Sequence, residues 1–104
     1  MIKLRLIIDE GDGAYNMALD EAMLILRSVN AIPDTLRLYI FKPSTITIGY
    51  FQSVNESVNE DFIKSRRIPI VRRPTGGGAV YHDTYGEITY SIIISEDKVP
   101  RDYV

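Results

Sequence analysis

The chain has 104 residues, enough for one small domain. Hydrophobic residues make up 45% and charged residues 25%, so a buried core is expected. The formal net charge of −2 argues against bulk electrostatic affinity for nucleic acid, and the absence of cysteine excludes disulfides, thiolate catalysis and cysteine-ligated zinc within the chain.

The opening MIKLRLIIDEGDG is too short and too charged for a signal peptide or membrane span, and an acid-rich, cysteine-free chain fits the cytoplasm. KLRLIID sets Leu4, Leu6 and Ile8 against Lys3, Arg5 and Ile7, and this period of two predicts a strand. EGDG ends it. A helix is predicted from about Tyr15 to Ser28, with Asp12 or Asn16 as its cap and Pro33 beyond its end. Tyr15, Ala18, Leu19, Ala22, Leu26 and Val29 recur at helical spacing and are expected to form its buried face. Asn16 and Asp20 share another face, which spacing alone assigns to solvent.

TLRLYIF and TITIGYF flank the turn residues KPS and read as an antiparallel hairpin. NEDFIKSRR predicts a short polar helix anchored by Phe62 and Ile63, and its Lys64, Arg66 and Arg67 read as a helix-end charge cluster. IPIVRRP, AVYH and EITYSIIIS are further extended runs, the last with Ile88, Tyr90, Ile92 and Ile94 on one face. EDKVPRDYV is polar, with no partner in view. The order β-α-β-β-α-β-β-β predicts an α/β (α+β) fold, with helices packed on a mixed, largely antiparallel sheet.

The segment VRRPTGGGAVYHDTYGE carries the chemistry. Glycine admits positive φ and lets a ligand approach backbone N–H groups, and successive N–H groups form an anion site. An adjacent arginine adds a fixed charge with bidentate geometry. A loose hairpin loop is the ordinary alternative, but apolar strand residues flank the glycines closely. The known phosphate loops do not fit: no Gly-Lys-Ser/Thr follows Gly78, and Tyr81 stands where a dinucleotide fingerprint needs glycine. His82 is the only histidine, too few for the usual metal cluster. Spacing alone gives it the role of a strand-end histidine satisfied by hydrogen bonds. Asp83 is its neighbour on the strand and points to the opposite face, so a direct relay between them is not expected. No serine stands in a nucleophile elbow.

RRPTGGGAVYHD resembles the signature of the lipoate–protein ligases, part of the biotin/lipoyl ligase and octanoyltransferase superfamily; NMALDE, LRLYIF and ITIGYFQ support the match in the family's order. The resemblance covers nearly the whole chain. It implies the α/β catalytic domain shared with biotin ligases, of which residues 1–104 are the N-terminal part. It also implies a reaction in which lipoate and ATP, with magnesium, form lipoyl-adenylate. A lysine on an acceptor then attacks; the family's acceptors are lipoyl domains of 2-oxoacid dehydrogenases and the glycine-cleavage H protein.

By the same resemblance Arg73 contacts the nucleotide or adenylate, and Gly78, Ala79, Val80 and Tyr81 line the nucleotide site. Gly76 and Gly77 lie along the acyl-adenylate, Thr75 stands where many members carry serine, and His82 sits beside the acyl pocket. Octanoyl transfer from acyl carrier protein is the alternative within the family, and EITYS also resembles that branch. A non-catalytic module binding the acyl-adenylate with a partner chain is the alternative outside it. The family's essential downstream lysine has no match, since Lys98 lies in a different context, so little ligase turnover is expected from this chain alone. Half a sheet would leave an apolar face open, which predicts self-association or a second chain completing the domain. No nucleic acid, membrane or protein-ligated metal is expected.

Overall fold

The computed structural model describes residues 3–99. Strand β1 (Arg5–Gly11) leads into helix α1 (Gly13–Ser28), followed by β2 (Thr35–Phe41) and β3 (Thr45–Ile48). A single turn, α2 (Val54–Ser57), precedes α3 (Glu60–Arg66), and β4 (Ile70–Arg72), β5 (Val80–His82) and β6 (Thr89–Ile93) follow. The last described element is a 3-10 turn over Glu96–Lys98. Apart from α2 and the closing 3-10 turn, the element order is the one expected.

Two three-stranded sheets form, in orders β1-β2-β6 and β4-β3-β5. Each is mixed: β2 runs parallel to β1 and antiparallel to β6, while β3 runs parallel to β4 and antiparallel to β5. Mixed α/β architecture is therefore observed, with the pairings evenly divided between parallel and antiparallel. The expected β2–β3 hairpin is not. Both edges of β2 are filled by β1 and β6, so β3 joins the other sheet. The N–H of Lys42 still bonds to Gly11 O at 2.8 Å, which prolongs the β1–β2 pairing into the turn.

Helix α1 is capped by Asp12, whose carboxylate accepts from the Tyr15 N–H at 2.8 Å. Its buried face differs from the apolar stripe in the sequence. Asn16, Met17 and Met23 are buried, while Tyr15, Ala18, Ala22, Leu26 and Val29 are exposed. The cause lies in β2. Arg37 is fully buried beneath the helix and needs acceptors there. Its guanidinium donates to Asn16 O at 3.2 Å, Asn16 Oδ1 at 2.6 Å, Asp20 Oδ1 at 3.1 Å and Asp9 Oδ2 at 3.4 Å. It also lies 3.9 Å from the centre of the Tyr39 ring. Asn16 in turn donates to Gly11 O and Ile40 O, joining the helix to both strands. Asn16 and Asp20 thus face the sheet, against the solvent assignment drawn from their spacing.

Met17, Tyr39 and Phe41 form the apolar core beside this network, with Val71 packed against them. The opposite face of the β1-β2-β6 sheet is apolar and open: Ile8 is 77% and Ile88 71% exposed, and Leu6, Tyr90 and Ile92 are exposed with them. No described element covers it.

Of the polar run EDKVPRDYV, residues 96–99 are described and do have a partner; the rest lies outside the described residues. Asp34, buried at the start of β2, accepts from Arg27 Nε at 2.8 Å, from the Ser95 N–H at 3.1 Å and from the Lys98 ammonium. Lys98 is therefore a structural ion-pair partner. The Lys98 hydrogen bond, then that of Arg27, holds the Asp34 carboxyl below its ordinary value of 3.8. A carboxylate depressed in the folded state stabilises the fold above its unfolded pKa, and that contribution is lost as pH falls through the folded value. Urea unfolding at pH 7 and pH 3 should show Asp34→Asn losing less stability on acidification than the unsubstituted chain.

Candidate functional site

Arg72 ends β4 and Arg73 follows it, and each staples a turn. Arg72 Nη1 donates to the carbonyls of Gly49, Tyr50 and Gln52 at 3.2, 2.9 and 2.5 Å. Arg73 holds the glycine loop. Its Nη2 donates to Gly76 O and Gly78 O, both at 2.8 Å, and its Nη1 to Thr47 O at 3.3 Å and Thr47 Oγ1 at 2.8 Å. With two loop carbonyls turned to the guanidinium, the N–H groups of Gly76, Gly77 and Gly78 donate to no atom among the described residues. A Cβ built on Gly76 or Gly78 would meet nothing within 4 Å, so both border open space. Gly77 has φ of 98°, a conformation only glycine adopts readily. The loop therefore presents unused backbone donors, as an anion site requires.

Gly49 sets the loop's position. A Cβ there would lie 2.0 Å from Gly77 O, so the two backbones meet where no side chain fits. The Tyr50 N–H bonds to Thr75 O at 2.8 Å and fixes the contact. TITIGYF is thus a strand only to Ile48; beyond it the chain turns beneath the glycines.

His82 on β5 is buried, and both ring nitrogens are engaged. Nε2 lies 2.9 Å from Thr47 Oγ1 and Nδ1 lies 2.7 Å from Glu87 Oε1. Carboxylates only accept and guanidinium groups only donate, which orders the chain of contacts. The Glu87 carboxylate thus takes the Nδ1 proton as acceptor, and Thr47 Oγ1 accepts from Arg73 while also meeting Nε2. The ring stacks on Phe41 at 4.2 Å between centroids. His82 is a fixed wall with no free nitrogen for base catalysis in this state. Asp83 is not its partner; that carboxylate accepts from Ser44, as strand alternation requires. Replacing Thr47 with valine should cost about 1–3 kcal/mol in chemical denaturation, because the buried His82 and the half-buried Arg73 each lose a partner, while Thr47→Ser stays close to the parent.

These groups surround a cleft of about 360 Å³. Met17 and Leu24 of α1, Tyr39 and Phe41 of β2 and Ile93 of β6 give it apolar walls, and Arg73, Thr75 and His82 close one side. Asp20 adds a polar edge: it accepts from Tyr39 Oη at 3.0 Å and Ser91 Oγ at 2.7 Å as well as from Arg37. Burial, then the neighbouring Asp20 carboxylate, pushes the Tyr39 phenol up to about 12, so it remains a donor.

Of the residues singled out in the sequence, Arg73, Thr75 and His82 line this cleft, and Gly76, Gly77 and Gly78 adjoin it through Arg73. Ala79, Val80 and Tyr81 are exposed on the way to and along β5, and Tyr81 opens onto a different groove on the other face of its sheet. Thr47, Glu87 and Ser91 escaped the sequence reading, and Asp20, read there as solvated, edges the cleft instead. His82 pairs in register with Thr45 of β3, and Thr47, two residues along on the same face of that strand, is the one that reaches its Nε2, a pairing the sequence did not show.

The fold and site together define an α/β domain with a stapled glycine loop beside an apolar cleft. The family model of the lipoyl protein ligase A/B catalytic domain matches residues 12–104, and the chain belongs to that family. It is 49% identical over 92 residues to the octanoyltransferase LipM of Halalkalibacterium halodurans, covering 86% of this chain and 33% of that protein. It is 45% identical over 92 residues to the octanoyltransferase LipM of Bacillus subtilis, covering 86% of this chain and 32% of that one. The chain thus spans about a third of these relatives. A crystal structure of lipoate-protein ligase A bound with ATP superposes with a TM-score of 0.76 at 36% identity, over 97% of this chain and 40% of that one. A bi-partite lipoate protein ligase from Thermoplasma acidophilum gives 0.69 at 36%, over 88% and 36%.

Proposed function

We propose that residues 1–104 are the acyl-holding, N-terminal part of an octanoyl transfer domain. The observation that carries this is the apolar cleft of Met17, Tyr39, Phe41 and Ile93, bounded by Arg73, Thr75 and His82. Apolar walls suit a medium-length hydrocarbon chain. Unused N–H groups of the glycine loop suit the oxygen of the acyl group, where charge develops as a thioester is attacked. In the overall transfer, the C–S bond of an octanoyl thioester on acyl carrier protein breaks and an amide C–N bond forms on a lysine of a lipoyl domain. The lysine gives up a proton and the carrier thiol leaves with one. This chain has no cysteine to take the acyl group covalently, so its residues bind and orient. Similarity to two octanoyltransferases favours this reading.

ATP-dependent activation of lipoate is the second reading, favoured by the open glycine amides, which fit a phosphate as well as an acyl oxygen. There the N–H groups of Gly76, Gly77 and Gly78 would hold ATP, with magnesium alongside, and the bound nucleotide would supply the activating phosphate. Lipoyl domains and the H protein are the acceptors in either case. The open sheet face around Ile8 and Ile88 favours a second chain or a second copy as a further partner. Calorimetric titration separates the readings. The transferase reading expects octanoyl-pantetheine to bind without ATP. Acyl binding that appears only when ATP is present contradicts it and supports the ligase.

A further inference from the structure

The face of the β4-β3-β5 sheet that carries α3 holds a groove unrelated to the acyl cleft. Its floor is Ile46, Ile63 and Ile68, and exposed Phe62 and Tyr81 form its sides; its volume is about 720 Å³. A second hollow of about 580 Å³ continues it, sharing Arg66, Ile68 and Tyr81 and adding Lys42 and Arg67. Lys42, Arg66 and Arg67 are exposed, and none forms an ion pair among the described residues. No acidic residue lines either hollow, although acids outnumber bases in the chain by 14 to 12. Arg66 lies 5.0 Å over the Phe62 ring, so charge and apolar surface are interleaved. This is an apolar groove with a cationic rim, complementary to an acidic protein surface.

Its position says which acidic protein. Strand β5 is the edge of its sheet. Tyr81 faces the groove and its neighbour His82 faces the acyl cleft, so the two sites lie back to back across one strand. A ligand held in the groove is separated from the cleft by the sheet itself and reaches it by passing around a strand edge, of which β5 is the one that borders both sites among the described residues. An acceptor lysine has a four-carbon stem and must sit at the cleft mouth itself. An acyl chain on a long flexible thioester arm can make the turn.

We propose that the groove docks the acidic carrier protein that delivers the acyl thioester, with Lys42, Arg66 and Arg67 meeting its carboxylates. The proposal rests on the transferase reading. The test is binding of octanoyl-acyl carrier protein to the full chain by biolayer interferometry at low and high salt, with the variant Lys42→Glu/Arg66→Glu/Arg67→Glu beside it. A lipoyl domain and octanoyl-pantetheine serve as comparison ligands. The variant should bind the carrier roughly tenfold or more weakly at low salt and lose most of the salt dependence. Its affinity for octanoyl-pantetheine should be unchanged. Carrier binding that survives the substitutions overturns the surface alone, as does a loss confined to the lipoyl domain. No carrier binding by the unsubstituted chain overturns both the transferase reading and the surface.

Discussion

Arg37→Ala should lower the folding stability of the chain by about 3–5 kcal/mol, the usual consequence of removing one member of a buried charge network. Domains of this size are stable by only about 5–15 kcal/mol, so the substitution should bring the chain close to unfolding at 37 °C. The magnitude follows from the acceptors left behind. Asp20, Asp9 and the Asn16 side chain all turn toward one guanidinium that is wholly shielded from water. Arg37→Lys should recover only part of the loss, since a point charge cannot serve acceptors spread around a planar fork. Urea denaturation followed by circular dichroism measures both. Loss of less than about 1 kcal/mol in Arg37→Ala would show that the network adds little to stability.

Gly49→Ala should reduce binding of octanoyl-pantetheine by about 100-fold or more, equivalent to roughly 2.7 kcal/mol. The new methyl would sit 2.0 Å from Gly77 O, and the atom in its way is backbone, which cannot rotate aside. The loop must move, and with it go the bond from Tyr50 N–H to Thr75 O and the staple from Arg73 to Gly76 and Gly78. Gly76→Ala provides the comparison. Its Cβ would meet nothing within 4 Å, so its stability should stay within about 0.5 kcal/mol of the parent. Any affinity it loses then reports a ligand lying against that glycine. Calorimetric titration and thermal denaturation of both variants separate a displaced loop from a blocked one.

Features with local causes were legible in the sequence. Asp12 caps α1 because an aspartate ahead of a helical run satisfies the free N–H groups of its first turn. The glycine segment was legible because three glycines behind two arginines, closely flanked by apolar strand residues, bring approachable backbone N–H groups and a fixed charge together. The open face around Ile88, Tyr90 and Ile92 followed from the alternation of EITYSIII. Features set by distant partners were not legible. β2 and β3 look like a hairpin until β1 and β6 are seen to hold both edges of β2. In TLRLYIF, the face carrying Thr35, Arg37, Tyr39 and Phe41 is buried, although the alternate residues are purely aliphatic. That inversion turned α1 as well, because Asn16 and Asp20 had to follow Arg37 inward.

The arginines also changed meaning. The sequence offers Arg73 as a charge for a ligand, whereas the structure commits its terminal nitrogens to Thr47 and the loop carbonyls. Its contribution is to shape the loop so that backbone amides face the open space. Glu87 and Thr47 act likewise on His82, fixing the ring between them. One side of the cleft is in this way held by hydrogen bonds within the chain, an arrangement that lowers the ordering cost of the binding proposed above.

Whether that cleft holds the acyl chain is the central question, and the methionines can answer it. Met17 lines the cleft, whereas Met23 is buried on the same helix outside it. With methyl-labelled methionine, titration with octanoyl-pantetheine should shift the Met17 resonance in NMR spectra and leave that of Met23 in place. A saturable shift at Met23 with none at Met17 would contradict the account, as would no change at either when calorimetry shows that the ligand binds.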